Sequence, residues 1–171
     1  MARVGDVAAF VLEQGGTMTT FKLHKLLYYA QGWSLIWEDR PLFDAKLKAY
    51  ENGPVVSSIF SEHRGQRHIS RWAAGNSTQL TDEERDTVRA VLEMYGGKSP
   101  AELVEMTHAE SPWCDVWTGD KGADARVISL DSMRAFFTAA SSRVPGHSAE
   151  GEAMGLRLRT FLEKTPARGD T

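Results

Sequence analysis

The sequence predicts a mainly α protein: a compact helical bundle around a central aromatic-rich helix, with at most a small two-stranded ribbon. Three observations carry this. The segment Thr20 to Trp37 is apolar nearly all round, with Leu23, Leu26, Leu27, Ala30, Ser34 and Trp37 on one face, Tyr28 and Leu35 on another, and Tyr29 and Trp33 on a third. A helix with so narrow a polar arc belongs inside, with others packed around it. Two capping boxes, Thr81–Glu84 and Ser99–Glu102, open further helices. Alternation of apolar and polar residues, the mark of a half-buried strand, is confined to short stretches.

Taken in order, the first helix is expected from about Arg3 to Gln14, with Val4, Val7, Ala8 and Val11 inward and Gly15-Gly16 as its stop. Thr19 or Thr20 caps the long second helix, since a short hydroxyl accepts from free backbone N–H groups. Glu38 to Pro41 is a polar break. Leu47 and Ala49 alternate with Lys46, Lys48 and Tyr50, suggesting an extended segment through Glu51 that pairs with Val127–Ile128. Asn52-Gly53-Pro54 reads as a turn, with Pro54 at the first position of a helix over Val55 to Arg64. Gly65 to Gln79 is a polar loop with one apolar anchor, Trp72.

The helix after Thr81 presents Val88, Val91, Leu92 and Tyr95 and ends at Gly96-Gly97; that after Ser99 reaches His108. Pro112 permits a short helix over Trp113 to Trp117. Gly119 to Ala125 is a loop, and Asp131 to Ala140 a helix with Met133, Phe136 and Phe137 as its apolar side. Composition divides the chain into a helical domain, 1–140, and a C-terminal appendage, 141–171. In the appendage a linker, Ser141 to Ser148, precedes a weaker amphipathic helix, Glu150 to Lys164, carrying Met154, Leu158, Phe161 and Leu162.

Charge and composition exclude several function classes. A chain of 171 residues with 42% hydrophobic and 25% charged residues sustains one proper core. The net charge of −3 gives no basic footprint for nucleic acid. The second helix offers only Lys22 and Lys25 to a groove, too little for a recognition helix. No apolar run approaches the roughly 20 residues of a membrane span, and the N-terminus reads as a helix start, not a signal peptide. Cys114 is the single cysteine, which fits a reducing cytoplasm.

Catalytic signatures are missing. The five histidines form no HExxH pair, His63 and His68 lie on different sides of any helix, and His108 and Glu110 diverge likewise, so no metal site and no cofactor is expected. Cys114 beside His108 offers a thiol and a base without a visible oxyanion pocket or orienting group; a cysteine between Trp113 and Trp117 reads as a small core residue. Walker-type, G-x-S-x-G and G-x-G-x-x-G patterns do not occur. Exposed aromatics remain as contact candidates, because aromatic anchors dominate interface energetics.

Four blocks in order, KLHKLLYYAQGWSL, RPLF, AYENGPVVSSI and LVEMTHAESPW, resemble the Panacea domain, the SocA-like or GepA-like phage-associated family. The resemblance spans about Val4 to Ala140 and rests on Lys25, Leu26, Tyr28, Tyr29, Gln31, Trp33, Gly53, Pro54, Thr107, His108, Glu110 and Trp113. Most of these read as structural: Leu26 and Tyr28 pack the central helix, Gly53-Pro54 sets a turn, and His108, Glu110 and Trp113 lock later helices by hydrogen bonding. The resemblance implies an antitoxin that neutralises a cognate toxin encoded nearby, by direct binding or by delivery to a ClpXP-type protease. An enzyme using His108, Glu110 or Cys114 is the remaining alternative. Direct binding would place Trp33, Tyr50, Asn52, Pro54, Trp72 and Phe161 at a partner surface, with a homodimer as a further possibility.

Overall fold

The computed structural model describes residues 1–119 and 125–142. The expected C-terminal helix with Phe161, and the linker from residue 143 on, lie outside the described residues. Seven helices are present among the described residues: α1 (Val4–Gly15), α2 (Thr20–Trp37), α3 (Ser57–Glu62), α4 (Asp82–Tyr95), α5 (Pro100–His108), α6 (Ser111–Cys114) and α7 (Leu130–Ser141). The fold is mainly α, as expected from the periodicity.

The helix α2 is the central strut. Fourteen of its 18 residues are buried, including Leu23, Leu26, Leu27 and Tyr28 at 0% exposure. Burying each such apolar side chain contributes about 1.5–3 kcal/mol, so the helix is held by its surroundings and not by propensity. Thr19 caps it, its hydroxyl accepting from the Lys22 N–H. Around it pack α1, α4, α5 and α7. Gly32 makes room for α7, since a Cβ there would overlap the Phe137 ring.

Gln31 explains why the RPLF block follows. Its amide oxygen accepts from the Leu42 and Phe43 N–H groups at 2.9 and 3.1 Å, and its nitrogen donates to the Phe43 carbonyl at 3.0 Å. One buried amide thus satisfies three backbone groups of the returning chain. The capping boxes at Thr81/Glu84 and Ser99/Glu102 are both formed. Glu84 is also paired with the Met1 amine and Arg40.

Two small antiparallel sheets flank the bundle. Strand β1 (Met18–Thr19) pairs β4 (His68–Ile69), and β2 (Leu47–Tyr50) lies between β3 (Gly53–Val56) and β5 (Val127–Ile128). The expected ribbon is present, with Leu47 opposite Ile128 and Lys48 opposite Val127. The helix expected to begin at Pro54 does not: Gly53-Pro54-Val55-Val56 forms a strand, with Ala49 opposite Pro54, and α3 starts only at Ser57. Two valines favour the pleat, and β3 is an edge strand, where the absent proline N–H is tolerated. The segment expected as a loop up to Gln79 also contains β4 and a one-turn 3-10 helix at Ser77–Gln79. The short helix near Trp113 begins earlier, at Ser111, with Pro112 in its first turn.

Candidate functional site

Two polar residues of α2 are turned inward onto the α5–α6 junction. Tyr28 and Tyr29 each donate a hydroxyl hydrogen bond to Glu110, to Oε2 at 2.9 Å and Oε1 at 2.8 Å. The Tyr29 ring stacks on Tyr95 at 3.9 Å, and Tyr95 accepts from Trp33 Nε1 at 3.0 Å. Burial lifts the Glu110 carboxyl to about 7, against the pull of the two hydroxyls. The same burial, with Glu110 adjacent, holds both tyrosines well above their ordinary range.

One turn of α2 earlier, Lys25 is fully buried and its Nζ donates to the Pro54 carbonyl at 3.0 Å. Desolvation lowers its pKa to about 7. Above it passes Gly53, at φ +94°, a conformation that favours glycine. Any Cβ there would lie 2.5 Å from Lys25 Cε and 2.6 Å from Thr107 Oγ1. The rest of the turn is held from α5 and α6. His108 is hydrogen-bonded to the Glu51 backbone, and Trp113 Nε1 donates to the Tyr50 carbonyl at 2.8 Å. The β2–β3 turn is therefore clamped by Lys25, His108 and Trp113, residues up to 88 positions apart (113 − 25). The clamp is stiffened by stacking of His108 on Trp113 at 4.0 Å and of Trp113 on Trp117 at 5.4 Å.

Over this clamp opens a groove of about 550 Å³, lined by Phe21, Asn52, Pro100, Ala101, Val104, Glu105 and His108. That size falls within the roughly 300–1,000 Å³ of ligand-sized clefts. Its wall is one face of α5, at positions 101, 104, 105 and 108, facing the first turn of α2 and the tip of the β2–β3 turn. Phe21 stands 49% exposed at its edge.

A histidine pair joins α2 to the C-terminal end of α3. His24 Nε2 and His63 Nε2 are 2.7 Å apart, and His24 Nδ1 accepts from the Val56 N–H at 3.2 Å. That acceptor role places the His24 proton on Nε2 and the His63 proton on Nδ1, which is buried without a partner. Burial lowers the pKa of both. Among the described residues no three His, Cys, Asp or Glu side chains gather as a metal site, and the pair reads as a neutral tie between α2 and α3.

The residues expected at a partner surface are scattered. Trp33, Pro54 and Trp72 are buried, Tyr50 is half-buried, and Asn52 is exposed on the groove. Tyr50 touches Phe60 at 5.4 Å between ring centroids. Of the motif residues, Lys25, Leu26, Tyr28, Tyr29, Gly53, Glu110 and Trp113 are buried, whereas His108 is half-buried and reaches the groove. Cys114 is exposed, and its Sγ donates to the carboxylate of the neighbouring Asp115 at 3.6 Å. Burial and Asp115 raise its pKa, so the thiol lacks the electropositive setting of a nucleophile. The sequence analysis does not single out Phe21, and it places Tyr95 on the core face of its helix without its tie to Tyr29 and Trp33. Phe21 was detectable as a large apolar residue off the buried stripe at a helix start. Tyr95 was readable only as core.

Among the described residues no helix is long and apolar enough to cross a membrane. A family model described as antitoxin SocA-like, Panacea domain, matches residues 23–114, more than half of the chain. The match contains the entire clamp and six of the seven residues that line the groove. No curated protein and no solved structure matches the chain.

Proposed function

We propose, because this chain belongs to the antitoxin SocA-like, Panacea-domain family, that it is the antitoxin of a toxin–antitoxin system and silences a protein toxin by binding it directly. The observation that carries this reading is the convergence of the motif residues. Lys25, Gly53 and Trp113 lie outside the lining of the groove; with His108, whose ring borders it, they fix one turn beneath an apolar surface. A rigid, prearranged surface lowers the ordering cost of association.

The two groups with pKa values near neutrality, Glu110 and Lys25, are the ones an acid–base mechanism would recruit. Neither borders the groove. Glu110 has both oxygens committed to tyrosines, and Lys25 supports Pro54 from beneath. This supports a non-enzymatic role, with Asn52 and Tyr50 as contacts and Trp33, Pro54 and Trp72 acting through what they hold in place.

Co-expression with the product of the adjacent gene tests the reading in cells that contain or lack a ClpXP-type protease. Direct neutralisation is expected to leave the toxin present at full level and inactive in both. Toxin that disappears only when the protease is present would replace direct binding with delivery. Alanine at His108 or Glu110 that abolishes rescue, while folding and toxin binding persist, would favour an enzyme instead.

A further inference from the structure

We propose that the groove over the clamped turn receives from the toxin an apolar side chain flanked by a lysine or arginine, an inference that rests on the toxin-binding reading. Three observations specify that chemistry. The floor and walls are Phe21, Pro100, Ala101, Val104 and the ring of His108, so the seat itself takes an apolar residue. The one acidic side chain among the lining residues is Glu105, exposed on α5. Burial holds His108 toward its neutral form, so it adds no positive charge. No Lys or Arg is among the lining residues, and Lys22, beside Phe21, is engaged by the backbone, its Nζ donating to the Gly96 carbonyl at 2.6 Å. The cleft therefore presents an apolar trough under a negative rim. A basic residue next to the inserted anchor answers the rim, and charge matching at a rim sets partner choice and association rate.

The seat is also stiff, which suits it to one shape of anchor. Its Asn52 edge belongs to the turn that Lys25 and Trp113 hold, and its α5 wall begins at a proline behind a formed capping box. An occupant meets a surface that has little left to order.

Two exposed positions separate this inference from general damage. Ala101→Tyr fills the trough without touching the core, and Glu105→Lys reverses the rim charge. Glu93→Lys, an exposed site on α4, is the control. Binding of the purified adjacent-gene toxin, and of 15-residue peptides tiling it, is measured on the full chain by calorimetry. Each groove variant is expected to weaken toxin binding about tenfold or more, as for an interface anchor, and the control to leave it unchanged. The peptides captured by the wild type are expected to contain an aromatic or aliphatic residue beside Lys or Arg. A charge swap at that basic residue is expected to restore binding to Glu105→Lys. Equal toxin binding by wild type and both groove variants overturns the groove while leaving toxin neutralisation standing. A wild type that binds no toxin removes both. Peptide binding that appears only after residues 143–171 are deleted overturns the occupant, because the chain's own C-terminal segment would then fill the seat.

Discussion

Glu110 is 8% exposed, and its folded-state pKa of about 7 lies above the ordinary value of 4.5. Between those two values the folded chain keeps a proton that the unfolded chain has released. Stability due to this group therefore falls as the pH rises from about 4.5 to about 7, and the loss is complete above that. Glu110→Gln retains an oxygen for the tyrosines and never ionises. Relative to the wild type it is expected to gain about 2–3 kcal/mol between pH 5 and pH 8, because each pH unit separating the two pKa values is worth about 1.4 kcal/mol. Urea denaturation at the two pH values measures it; identical pH slopes for the two proteins would mean that Glu110 is not held neutral. The residues of this network were visible in the sequence as a motif, and their helical phase was legible. Their meeting was not, because Tyr28 and Glu110 are separated by 82 positions and nothing local encodes that distance.

At the scale of elements, α2 and α7 meet through a notch. Gly32 lies mid-helix, where glycine costs about 1 kcal/mol relative to alanine, yet the Phe137 ring occupies the space a Cβ would need. Gly32→Ala is therefore expected to destabilise by about 1–3 kcal/mol despite its better helix propensity, through overpacking against a ring. Thermal unfolding checks the sign; a more stable variant would show that α7 yields at that contact. The helices were legible element by element, since each carries its cap or its period in a short window. Strand β3 was not, because a proline after Asn-Gly is an equally good first residue of a helix. What decides for the strand is a neighbour, β2, lying alongside, together with the Lys25 ammonium that binds the Pro54 carbonyl.

At the scale of the whole molecule, one core serves every described α-helix and strand. The buried apolar cluster runs from Val7 to Phe137 and draws on both sheets and on the helices packed around α2. We propose that this unit is the family domain and that the chain beyond it is an addition. A chain ending at Ser142 is expected to melt within about 3 °C of the full-length protein, a difference corresponding to less than about 1 kcal/mol. A larger fall in a calorimetric scan would tie residues 143–171 to the core. The amphipathic pattern over Glu150–Lys164 was readable, but an apolar stripe alone does not say which body it faces.

The stacked column of His108, Trp113 and Trp117 gives the groove an optical signature of its own. An indole in van der Waals contact with an imidazole changes its emission when that imidazole is moved, covered or protonated. Occupation of the trough should therefore be legible as a change in intrinsic fluorescence, with no dye attached.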